Sequence, residues 1–106
     1  MKVPHTLLRE EVRIEDYLGS GSRGDAYAEA RVVRASFQPT SRLVTDIRGA
    51  TVDVDALVII RPEKGPVKAE SRVTVRGELY RVARAYAMPD ERRPSHWELQ
   101  VSRIGA

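Results

Sequence analysis

Apolar and polar residues alternate with a period of two along most of this chain, the pattern of strands that bury one face. Over residues 11–18, Val12, Ile14 and Leu18 share one face, and Glu11, Arg13 and Glu15 share the other. Over 42–47, Leu43 and Ile47 oppose Arg42 and Asp46. The run 51–60 opens with Val52, Val54 and Ala56 against Asp53 and Asp55. It then turns apolar on both faces at Leu57-Val58-Ile59-Ile60, which places its second half in the centre of the core. Val73 and Val75 alternate with Arg72, Thr74 and Arg76; Tyr80, Val82 and Tyr86 alternate with Arg81 and the alanines at 83, 85 and 87. Trp97, Leu99 and Val101 alternate with Glu98, Gln100 and Ser102.

The breaks between these runs carry turn chemistry. Arg48-Gly49 and Gly77-Glu78 lie between alternating runs and read as hairpin turns, where glycine supplies a positive φ. Pro62, Gly65 and Pro66 mark a longer exposed connection, as do Pro89 and Pro94. One segment is ambiguous: Ala26, Ala30, Val33 and Phe37 stand at helical spacing, with Asp25 available as a cap. Because Val32-Val33 is β-branched and the surrounding pattern is all strand, a strand over 30–37 is expected. These runs predict an all-β fold in a single domain spanning 1–106. Its form is a small β-barrel or sandwich of about seven short antiparallel strands, with a long projecting hairpin or loop.

Composition narrows the function more than the fold. The chain of 106 residues has no cysteine, and its only histidines are His5 and His96. Disulfides and thiolate metal sites are therefore excluded, and a multi-histidine site nearly so. No run approaches the roughly 18 apolar residues of a membrane span, and no signal peptide opens the chain. A binding or structural part is expected, without enzyme activity or cofactor. The net charge of +3 comes from 18 basic and 15 acidic residues. The basic residues are spread singly along the strands, only Arg92-Arg93 being adjacent, which reads as a mixed-sign solvated surface and not as the clustered basic face of a duplex binder.

Several motifs carry a chemical reading that their context does not support. Gly19-Ser20-Gly21-Ser22-Arg23-Gly24 fits the glycine-rich phosphate cradle. The dinucleotide form of that motif needs a βαβ unit, and the kinase form needs a paired lysine and a catalytic loop; a flexible surface loop is the expectation. Arg23-Gly24-Asp25 spells a cell-adhesion tripeptide short enough to arise by chance. Asp53 and Asp55 share a strand face and could hold a cation, although an exposed polar face is the commoner cause of that spacing. Glu10-Glu11 reads as surface, and no serine has spaced histidine and aspartate partners recognisable as a triad.

The segment 38–55 stands out as a polar hairpin whose first arm has a thin apolar face. Its pattern fits either an edge hairpin blunted with charge or one that projects, rearranges or pairs with a neighbouring copy.

The order of these features is familiar. A strand ends in Tyr17-Leu18-Gly19, a glycine-rich stretch runs to Gly24, and Tyr27 follows. Then come Ala30-Arg31-Val32-Val33-Arg34-Ala35, the hairpin from Arg42-Leu43-Val44 to Gly49, the run 52–62, Ser71-Arg72-Val73-Thr74-Val75 with Gly77, and a terminal strand over 98–104. This layout resembles the head-closure proteins, or head-to-tail stoppers, of tailed double-stranded DNA phages and phage-like gene transfer agents. The resemblance implies a non-enzymatic virion neck protein, assembled in the host cytoplasm and arranged as a twelve-membered ring. Its partners would be the adaptor and portal ring above, the tail terminator or tail tube below, and neighbouring copies. A hairpin of that family faces the channel and helps retain packaged DNA. Carried over by position, it is 38–55 here, with Arg42, Thr45, Arg48, Gly49 and Thr51 facing the channel and the two arginines in weak non-specific contact with DNA. A tail terminator or minor tail component of similar β fold is the alternative, as is a free nucleic-acid-binding barrel of OB or SH3-like type.

Overall fold

In a computed structural model of the chain, residues 9–46, 48–90 and 93–104 are described. The expectations for His5, Ile47 and Arg92 lie outside them. Eight strands run in order: β1 (Glu10–Glu15), β2 (Tyr17–Gly21), β3 (Gly24–Tyr27), β4 (Arg31–Thr45), β5 (Thr51–Ile60), β6 (Arg72–Val75), β7 (Glu78–Asp90) and β8 (Arg93–Arg103). A short 3-10 turn, Pro62–Lys64, follows β5.

Six of the strands close into an antiparallel barrel in the order β1-β4-β5-β8-β7-β6, and β6 returns to β1. Alternation explains why this closure works. Val12 stands opposite both Val33 and Val75, Val58 opposite Leu99, and Val82 opposite Val101, so each inward position meets another inward position across the ladder. The resulting core holds Val12, Ile14, Val33, Ala35, Ala56, Val58, Ile60, Val73, Val75, Tyr80, Val82, Leu99 and Val101, with Phe37, Ala85 and Trp97 packed against it. Most of these are β-branched, and closure removes the open edges that a small sheet would otherwise expose. The expected turn at Gly77 is a two-residue hairpin in which Arg76 and Gly77 have φ of 52° and 81°.

The all-β barrel agrees with the sequence reading, and the strand over 30–37 forms as the opening of β4. Three details differ. β4, β7 and β8 are long, at 15, 13 and 11 residues. Register shifts between Pro39 and Arg42, between Val82 and Arg84 and between Met88 and Pro89 let β4 and β7 continue where regular pairing would stop. Pro89 and Pro94 therefore pair across the β7–β8 hairpin instead of marking a connection. Leu18, placed on the face of Val12 and Ile14, is 63% exposed. The chain leaves the barrel at Asp16, whose carboxylate takes Arg31 at 2.9 Å and whose carbonyl accepts the Ala28 N–H.

Beyond that break, the glycine-rich stretch forms an ordered ribbon of β2 and β3 and not a flexible loop. Tyr17 and Tyr27 meet edge to face at 5.7 Å, and the Arg72 guanidinium sits 3.8 Å above the Tyr27 ring. The Tyr17 N–H donates to Ser71 Oγ, which ties the ribbon to the barrel. The strand directions put the β6–β7 turn at one end of the barrel, from which the β4–β5 hairpin also starts. The β7–β8 turn and the ribbon lie at the other.

Candidate functional site

Past Pro39 the β4–β5 hairpin pairs Arg42 with Val54, Leu43 with Asp53, Val44 with Val52 and Thr45 with Thr51. Asp46 builds the turn. Its Oδ1 accepts the N–H groups of Arg48 and Ala50, each at 2.9 Å. Its backbone N–H donates to the Ala50 carbonyl, and Gly49 N–H donates to the Asp46 carbonyl. Gly49, at φ 83°, supplies the left-handed residue that closes the loop. This is an aspartate-centred turn, and it fixes the register of both arms.

The channel-facing candidates are not all on one face. Thr45 and Thr51 are exposed and opposite each other, and Arg48 and Gly49 are exposed at the tip. Arg42, also exposed, lies on the other face of the ribbon with Val54. The tip does not project freely. Arg84 on β7 donates through Nε to the Thr45 carbonyl. Arg48 reaches Glu70 at 3.4 Å while lying 3.9 Å from Asp46, and Arg81 on β7 approaches the other Glu70 oxygen at 3.6 Å. Asp46 is only 3% exposed. Ala83 and Gln100 are also buried, although Gln100 alternates with the inward Leu99 and Val101 and so faces outward. The hairpin thus leans over the outer face of β7 and β8.

Burial works to raise the Asp46 pKa, but the N–H donors of Ala50 and Arg48 and the charges of Arg48 and Arg81 outweigh it, so the carboxyl stays below its ordinary value. Glu70, Arg81 and Arg84 were not among the sequence candidates. Only the Asp46-x-x-Gly49 spacing gave a local signal, since Glu70 is remote in sequence and belongs to no run of alternation.

Elsewhere the arginines find carboxylates: Arg72 with Glu15 at 3.1 Å, Arg103 with Glu78 at 2.9 Å, Arg76 with Glu10, and Arg61 with Glu63 at 2.6 Å. The mixed-sign surface expected from the composition is present as pairs, and exposed pairs of this kind add little to stability. Asp55 Oδ2 accepts the Arg103 N–H, so the Asp53/Asp55 face is partly committed to the β5–β8 seam. Among the described residues, no group of three or more potential metal ligands converges. The glycine-rich motif is followed by a strand and not a helix, and its Asp25 is held by Ser20 Oγ at 2.5 Å. Burial, aided by Asp25, pushes the Tyr27 phenol upward, which suits a packing role.

The chain resembles a solved structure at the level of fold. The protein xkdH of the phage-like element PBSX from Bacillus subtilis superposes with a TM-score of 0.55 at 17% sequence identity, covering 90% of this chain and 93% of that one. No family model matches the sequence, and no curated protein does. Coverage of most of both chains makes this a likeness of overall fold.

Proposed function

We propose that this chain is a structural component of a phage or phage-like particle, and within it the head-to-tail stopper of the neck. The observation that carries the reading is the whole-chain fold likeness to a protein of a phage-like element. The stopper role itself rests on the order of strands and turn glycines quoted above, which resembles that of head-closure proteins. In this reading twelve copies form a ring between the adaptor and portal complex and the tail. Each contributes the hairpin over 38–55 to the channel, and the part is mechanical and not enzymatic.

The electrostatics support a contact that is weak on purpose. Each phosphate neutralised adds affinity through counterion release, and a plug that bound DNA tightly would stall ejection. Arg42 and Arg48 are offset within the same hairpin by Asp46 and Asp53. Repetition around the ring then gives a mild field instead of a clamp.

Replacing residues 40–51 by a short turn tests the role. The shortened protein is expected to keep its barrel, while particles carrying it lose packaged, nuclease-resistant DNA or fail to join tails. Full, stable heads joined to tails would show that the hairpin does not gate the channel.

A further inference from the structure

From the contacts at the hairpin tip we infer that the β4–β5 hairpin is a two-position element, held against the barrel in the single chain by an electrostatic latch centred on Glu70. The inference stands on the contacts alone and holds whatever the particle does with the hairpin.

The latch has few members and they are all polar. Arg48 bridges Asp46 of its own turn and Glu70 of the segment leading into β6, at 3.9 and 3.4 Å. Arg81 holds Glu70 from β7 at 3.6 Å, and Arg84, also from β7, takes the Thr45 carbonyl. Glu70 is held in place by its own N–H, which donates to the Val82 carbonyl at 2.8 Å. The latch is therefore anchored on the rigid barrel at one side and on the hairpin turn at the other.

The same interface carries a built-in cost. Asp46 Oδ2 and Glu70 Oε1 are buried and meet Arg48 at ion-pair distance without a hydrogen bond, and Gln100 Oε1 is buried with no hydrogen-bond partner among the described residues. Gln100 is the strand partner of Arg84, so these acceptors belong to the region the tip covers. A buried acceptor without a donor loses its hydration and regains it when the cover lifts. Attachment by ion pairs that salt can screen, over acceptors that favour opening, makes the docked position easy to leave. The turn itself is not part of this balance. Asp46 Oδ1 keeps Arg48 and Ala50 N–H in either position, so the hairpin moves as a formed unit. Released, Arg48 leaves Glu70 and keeps only its own turn carboxylate as a neighbour.

The absence of cysteine makes a clean experiment possible. A spin label on Ala50→Cys, at an exposed tip position, is expected to broaden the backbone amide signals of Glu70, Arg81 and Arg84 in low salt. Raising NaCl from about 0.05 M to about 0.5 M, or introducing Glu70→Gln, should abolish that broadening while the signals of Val33, Val58 and Leu99 keep their positions. Arg48→Gln, on a side chain 60% exposed, provides the same test should Glu70→Gln disturb the barrel signals. Broadening that is missing from the start, or that survives salt and both substitutions, would overturn the latch. Loss of tip contacts only together with the barrel signals would also overturn it, because the hairpin would then have no position of its own.

Discussion

Gly65 lies so close to the Trp97 indole that a Cβ added there would collide with Nε1 and Cδ1 of the ring. This contact seats the connection after β5 on the start of the barrel seam, where Trp97 pairs with Ile60 and packs against the core. Gly65→Ala must displace the ring, and overpacking of this kind costs about 1–3 kcal/mol. A calorimetric scan should show a lower Tm, with a changed tryptophan emission maximum; an unchanged Tm would mean the connection shifts freely. The glycine was visible in the sequence as a loop marker, but the reason for it was not, because the indole it faces is far along the chain. The inward residues were legible for the opposite reason. A barrel wall repeats every two residues, so Val12, Ile14, Val58, Val82, Leu99 and Val101 declare their side without knowledge of their partners. Leu18 misleads by the same rule, since alternation continues past Asp16 although the backbone has left the barrel.

At the scale of elements, the β4–β5 hairpin was legible in its pairing and its turn, and illegible in its direction and its buried side, since Leu43 is exposed and Asp46 is buried. Gly49 and the flanking alternation place the turn, whereas the lean onto β7 depends on Arg48, Glu70, Arg81 and Arg84, which no local pattern links. Pro89 and Pro94 show the complementary failure, where proline's punctuation is overridden by a register shift. The hairpin turn also holds an acid-sensitive contact. Asp46 ionises below its ordinary value of 3.8 because the charged form is held by two N–H donors and by Arg48 and Arg81. A depressed carboxylate stabilises the fold above its unfolded pKa and loses that contribution as pH falls through the folded one. Amide exchange at Arg48 and Ala50, followed from pH 6 downward and corrected for intrinsic rates, should accelerate as pH falls below the ordinary carboxylate range. In Asp46→Asn the acid-dependent step should disappear. A step that persists in that variant would assign it to another carboxylate.

For the whole molecule, the barrel supplies a rigid wall with unlike attachments: the β2–β3 ribbon and β7–β8 turn lie at one end, and the β4–β5 hairpin starts from the other but folds back along the outer face until Arg48 meets Glu70, beside the Ser71 that holds the ribbon. A ring part needs such polarity, because one end must meet what lies above and the other what lies below. The single-domain size and the paired arginines are compatible with a copy that gains its function by repetition, the +3 of each chain becoming a weak field around a shared axis. That account stands or falls on whether the chain closes a ring on a DNA-filled head. The direct measurement is electron cryomicroscopy of portal- and adaptor-bearing heads incubated with the purified protein. The expected result is a twelve-membered ring beneath the adaptor, with the 38–55 hairpins turned toward the channel axis. A protein that leaves such heads bare, or that assembles instead on the end of isolated tail tubes, would contradict the stopper assignment.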